Sequence, residues 1–307
     1  MLRRFHERSA EPELMDAGSA GGIELREAYR HLRRLNRLFG TARPVLYGVR
    51  RIWAEAGYPA RLTVLDIGAG AGDVNRLLLR WADRHGIRLT VILADRRIEA
   101  CREAKRLFKG ERRVRVMLGD LFELPDGCAD IVTATHFAHH FAPEELPRVV
   151  RRMLRASRLG AVLCDIHRHW VPWTSVWLAA RLISRNRYIR HDGPLSVAKG
   201  FRADDWRVLR EALEDCELEC RWRPMFRYVA LVRRRTAPDG EQRAGLAGRM
   251  EADGFRTAAV GLHTATDGDP PVPDPQPAHP IQKDHGAGRP QEKHSPAEFI
   301  TPGRERP

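Results

Sequence analysis

The chain has 307 residues, 43% of them hydrophobic and 30% charged, which is room for one large domain or two small ones with a real core and excludes a wholly disordered chain. No apolar run approaches the roughly 20 residues of a membrane span, the first residues lack the apolar stretch of a secretory signal, and five scattered cysteines without a CxxC pair give neither a disulfide framework nor a structural zinc site. The net charge of +13 is uneven, because residues 236–307 hold eight Lys and Arg against eleven Asp and Glu and leave +16 on the first 235.

In chain order, the first 20 residues are polar and expected to be loose, with Pro12-Glu13-Leu14-Met15 docking at most locally. From Leu25, apolar residues at spacings of three and four (Ala28, Tyr29, Leu32, Leu35, Leu38) predict a helix stopped by Gly40. Pro44 fits the first turn of a second helix that presents Val45, Val49, Ile52 and Trp53 and ends near Gly57. After Arg61, apolar strands alternate with helices: strands at 62–67, 89–94, 114–118, 129–135 and 160–165, and helices at 74–85, 97–108 and 143–156. This alternation predicts an α/β fold with a parallel sheet wound on both faces. Residues 218–222 and 227–233 are separated by four residues, a hairpin spacing, so the sheet is expected to end antiparallel. Residues 236–307 hold 11 of the 20 prolines and two aromatics, and are expected to be a disordered Pro-rich tail. The expected organisation is a helical arm or lid over 1–60, a domain over 61–235 and the tail.

The stretch Val64-Leu65-Asp66-Ile67-Gly68-Ala69-Gly70-Ala71-Gly72-Asp73 is a buried strand, then glycines at alternate positions, then a helix. Glycine lets the backbone turn sharply and approach a ligand with no Cβ between. A dinucleotide fingerprint puts its third glycine five residues after the first; here that position is Asp73, whose carboxylate would repel a pyrophosphate. Asp66 instead suits a ligand carrying an ammonium group.

These residues resemble the first motif of the class I S-adenosylmethionine-dependent methyltransferases, and the resemblance extends over about 61–235. It implies a Rossmann-like seven-stranded sheet, mainly parallel with an antiparallel last strand, and S-adenosylmethionine as cofactor. Gly68, Ala69, Gly70 and Gly72 correspond to the family's loop. Asp95 with Arg96 ends the second strand, where the family grips the ribose. Asp120 and Leu121 follow the third strand, at the adenine position, and Thr135 closes the fourth. Phe137-Ala138-His139-His140-Phe141 matches the family's apolar-His-His stretch, while Ala156-Ser157-Arg158-Leu159-Gly160 replaces the Lys-Pro-Gly-Gly of many relatives.

On the acceptor side, a base is needed only for a nucleophile protonated at neutral pH, as a phenol is. His136 and His139 follow the fourth strand. His191 lies in Asn186–Pro194, expected to be a loop, with Asp192 as orienter or as a capping residue. Residues 170–183 hold three tryptophans and are too short to span a bilayer; they fit a helix closing an apolar acceptor pocket, with peripheral membrane contact as the alternative. The order of segments is similar to the small-molecule, ubiquinone/menaquinone-type methyltransferases encoded beside bacterial type III polyketide synthases. That resemblance implies a phenolic or polyketide-derived hydroxyl acceptor in secondary metabolism and O-methylation over C-methylation; the scattered, reduced cysteines predict a cytoplasmic protein, and no metal and a monomer or weak homodimer are expected. RNA as acceptor, favoured by the +16 balance, and a non-catalytic S-adenosylmethionine-binding protein are the alternatives; a Trp-rich insertion and arginines spread along the chain argue against a nucleic-acid partner.

Overall fold

The computed structural model describes residues 5–235, so the expected tail lies outside the described residues. The strands β1 (Arg61–Ile67), β2 (Arg88–Asp95), β3 (Val114–Leu118), β4 (Ala129–Thr135), β5 (Ser157–Ile166), β6 (Cys216–Arg223) and β7 (Arg227–Arg234) form one sheet in the order β3-β2-β1-β4-β5-β7-β6. The first five run parallel, and β7 pairs antiparallel with both β5 and β6. β1 and β4 are largely buried on both faces, as strands covered from both sides are.

One face of the sheet is covered by α2 (Ala42–Glu55), α3 (Asn75–Arg84) and α4 (Ile98–Leu107), whose Val49, Leu78 and Ala104 pack with Val64 and Val91. The other is covered by α5 (Leu146–Ala156) and α8 (Ala203–Glu211), whose Met153 and Trp206 pack with Val132 and Leu163. α2 lies so close to β5 that a Cβ on Gly48 would collide with Val162. A third layer, α1 (Gly22–Leu38), α6 (Trp170–Ile183) and α7 (Arg187–Lys199), packs through Leu25, Ala28, Ala180 and Ile189 over Ala71 of the glycine loop. Strand order reverses between β1 and β4, so the ligand crevice of such a sheet opens outside their carboxyl ends. No helix among the described residues is long and apolar enough to cross a membrane.

Two expectations are corrected. Asn186–Pro194 is not a loop: the Asn186 side chain accepts from the Tyr188 N–H and starts α7, which runs through Gly193 and Pro194 because Tyr188, Ile189 and Leu195 are buried. Residues 5–20 are not loose. The Arg8 guanidinium donates to the carbonyls of His139, Phe141 and Lys199, the Asp192 carboxylate accepts from the N–H groups of Leu14 and Met15, and Arg97 donates to the carbonyls of Ala17 and Ala20. Nonlocal polar contacts, invisible to a hydrophobic pattern, make this segment a strap across the crevice. A smaller difference is at Ala156–Gly160, where α5 passes into β5 without an intervening turn.

Candidate active site

The glycine loop is built by its backbone. Gly68, Gly70 and Gly72 all have φ between 57° and 71°, the left-handed region that side chains resist. A Cβ at Gly68 would also strike Phe137, and one at Gly72 would strike Leu93. The Ala69 N–H is anchored on the Ala94 carbonyl at 3.1 Å. Asp95 ties the loop to β2, its carboxylate accepting from the Gly70 N–H and the Arg97 N–H at 2.8 Å each. Burial raises its pKa, an effect these two donors oppose. The Tyr29 ring of α1 stands 3.7 Å from where a Gly70 Cβ would be.

Asp66 differs from its expected role. It is 1% exposed, and its oxygens accept from Asn75 Nδ2 at 2.6 Å and Thr133 Oγ1 at 2.8 Å. Burial pushes it up to about 6 although those two donors pull the other way. A carboxylate so enclosed does not reach a ligand's ammonium; it fixes the loop from behind by joining α3 to β4. Across the crevice, Asp120 accepts from the Phe122 N–H at 2.8 Å and pairs with the exposed Arg96 at 3.2 Å, while the Leu121 side chain is in the core.

The end of β4 and the segment after it bring Thr135 and His136 next to the start of the loop, with Phe137 against Gly68, and His139 follows. His136 holds a left-handed φ of 52°, fixed by its N–H donating to the Cys164 carbonyl at 2.9 Å; strain of this kind collects at functional positions. Burial moves its pKa well below the ordinary value, with Arg227 adding to the shift, so the ring is neutral. His139 is 2% exposed and lies between Asp165 Oδ1, 2.8 Å from its Nδ1, and Glu13 Oε1 of the strap, 3.5 Å from its Nε2. Burial lowers its pKa, but the two carboxylates win and raise it to about 9, while His139 holds the buried Asp165 at about 2.

A family model described as a methyltransferase domain matches residues 64–160. Among solved structures, the plantazolicin methyltransferase BpumL in complex with SAH is similar at 11% identity over 70% of this chain and 92% of its own, with a TM-score of 0.52. A SAM dependent methyltransferase from Aquifex aeolicus shows 15% identity over 67% and 97%, with a TM-score of 0.46. No curated protein matches significantly. At its identity, the BpumL likeness is one of fold. The matched segment contains the glycine loop, Asp95, Asp120 and the histidines. Residues 64–160 carry a class I S-adenosylmethionine-dependent methyltransferase domain.

S-Adenosylmethionine is the cofactor of this methyltransferase, and the residues present fit it. The loop forms a backbone cradle that a Cβ would fill, and two shielded polar atoms beside it, Thr135 Oγ1 and His136 Nε2, have no hydrogen-bond partner. A cation fits less well. Glu13, His139 and His140 each offer one ligand atom within 4.8 Å of the others, but His139 already lies between two carboxylates, and Lys199 Nζ is 4.0 Å from Glu13 Oε1.

His191 lies elsewhere on the methyltransferase, in the wall of a cavity of about 860 Å³ between the strap, α6 and α7, together with Arg8, Trp173, Trp177, Arg181 and Leu195. Its Nδ1 is 2.7 Å from Asp192 Oδ1 and its Nε2 3.2 Å from Glu11 Oε1. The bond to Asp192, then Glu11, raises its pKa. Glu13, Asp165, Asn75 and Tyr29 are site residues that motif reading does not single out. The signals available are weak: a carboxylate near the end of an apolar strand for Asp165, and an amide at the start of the helix after the loop for Asn75.

Proposed function

We propose that the chain methylates a small apolar, aromatic or polyketide-like hydroxyl compound, O-methylation being favoured. The observation that carries this reading is the 860 Å³ cavity, whose wall combines Trp173, Trp177 and Leu195 with Arg8, Arg181 and His191. Aromatic walls suit a flat apolar body, and cationic groups suit an acidic hydroxyl. Bound S-adenosylmethionine supplies an activated methyl group.

On this reading Gly68, Ala69, Gly70 and Gly72 give the cofactor close backbone approach, Asp95 takes its ribose hydroxyls, and Asp120 with the Leu121 N–H takes its adenine. Arg96 holds Asp120, and Thr135 offers its hydroxyl. The neutral His136, whose Nε2 has no partner, accepts the acceptor's proton. His191, held between Asp192 and Glu11, orients the acceptor. His139 positions the strap through Glu13. Residues 1–60 act as cover, with the strap and α1 over the crevice and α2 over the sheet, residues 61–235 form the transferase domain, and residues 236–307 are a dispensable tail. We place the protein in the cytoplasm as a monomer or weak homodimer.

Steady-state kinetics test the division of labour between the histidines. His136→Ala should lower kcat by about 10²–10⁴, the usual range for losing a general base, whereas His191→Ala should raise KM with little change in kcat. The opposite split would return the base to the cavity wall.

A further inference from the structure

α6 carries large apolar side chains on both of its sides, Thr174 and Arg181 being the polar residues of its outer arc. Pro172, Val176, Ala179 and Ala180 face inward and are buried. Trp170, Trp177, Leu178 and Leu182 face outward at 50%, 37%, 51% and 77% exposure. At 3.6 residues per turn these four and Arg181 fall within an arc of about 140°, where a surface helix ordinarily carries polar side chains.

Charge marks the same surface. Residues 170–191 contain no Asp or Glu, and they hold Arg181, Arg185, Arg187 and Arg190. The Arg181 guanidinium lies 3.9 Å from the centre of the Trp177 ring, and Arg187 is held 3.2 Å from Glu24 of α1.

We propose that this outward face of α6 docks on an anionic phospholipid surface. Leu178 and Leu182 enter the boundary between headgroups and acyl chains, Trp170 and Trp177 sit at headgroup level, and the arginines meet lipid phosphates, the arrangement of an interfacial helix. At 14 residues the helix is about 21 Å long, so it lies on the surface and does not cross it. The charge argues against the other occupants. Two copies meeting through this face would oppose their arginines, and a nucleic acid offers nothing to Leu178 or Leu182. Trp177 and Arg181 also wall the 860 Å³ cavity, which places that wall beside the lipid surface.

Co-sedimentation of the full chain with vesicles tests the docking. Vesicles of phosphatidylcholine alone are compared with vesicles that also contain one third phosphatidylglycerol. The expected result is partitioning onto the anionic vesicles only. It should be weakened roughly tenfold or more in the Leu178→Ser/Leu182→Ser double variant, and less strongly by Arg185→Gln or by high salt. Melting temperature and S-adenosylhomocysteine affinity should be unchanged in these variants, since the replaced side chains are exposed. Equal sedimentation of wild type and double variant, or no sedimentation of wild type with anionic vesicles, overturns the proposal. So does self-association, or tRNA binding, that the two serines abolish while vesicle binding is absent. The readout is independent of turnover, so failure to find an acceptor leaves it standing.

Discussion

His136 combines three properties that seldom meet in one histidine: a left-handed backbone, a ring kept neutral by its surroundings, and a shielded Nε2 without a partner. The residues around it divide into those that shape the loop and those that face a ligand. Asp95 belongs to both groups, since it holds Gly70 and Arg97 and stands at the ribose position. Asp95→Ala should therefore weaken S-adenosylhomocysteine binding by about 1.5–3 kcal/mol, the scale for losing a charged hydrogen-bond partner, measured by titration calorimetry. Gly68→Ala should abolish binding while the fold survives, because the new Cβ meets Phe137 at a left-handed φ. Asp66 acts through stability. Its carboxyl titrates at about 6 when folded and about 3.9 when unfolded. Between those values the folded state binds the extra proton, so this group makes stability fall as pH rises from about 4 to 6, by up to roughly 3 kcal/mol, with the loss retained above. The difference in melting temperature between wild type and Asp66→Asn, followed across that range, should shift in favour of the variant; a difference independent of pH would mean Asp66 is not strained.

At the scale of elements, the strap is held where Glu13 approaches His139. Removing one member of a buried charged group costs about 3–5 kcal/mol because the others are left uncompensated, so Glu13→Gln should lower the melting temperature by several degrees. Glu11→Gln, which touches only the half-exposed His191, should cost under about 1 kcal/mol. Equal losses would show that the strap is not anchored through His139. The strands, the glycine loop and its neighbours were legible because periodicity and turn chemistry are local. The strap was not, since Arg8, Glu13 and Asp192 find partners more than a hundred residues away. α7 was hidden for another reason: Gly193-Pro194 reads as a turn, and only burial of Tyr188, Ile189 and Leu195 outweighs that local preference. Asp66 sat in a correctly located motif, yet its enclosure by Asn75 and Thr133 depends on how α3 and β4 pack.

For the whole molecule, the switch between β1 and β4 places the cofactor loop and the post-β4 histidines on one edge, and the third helical layer with its strap closes that edge. The acceptor reading rests on the cavity between the strap, α6 and α7, walled by aromatic and cationic side chains, rather than on a broad basic groove. Transfer of a labelled methyl group from S-adenosylmethionine tests it most directly, with the full chain offered phenolic polyketides and, separately, tRNA. The account predicts label in the solvent-extractable phenolic product, lost in His136→Ala, and none on tRNA. Label on tRNA with none in the phenolic fraction would contradict it.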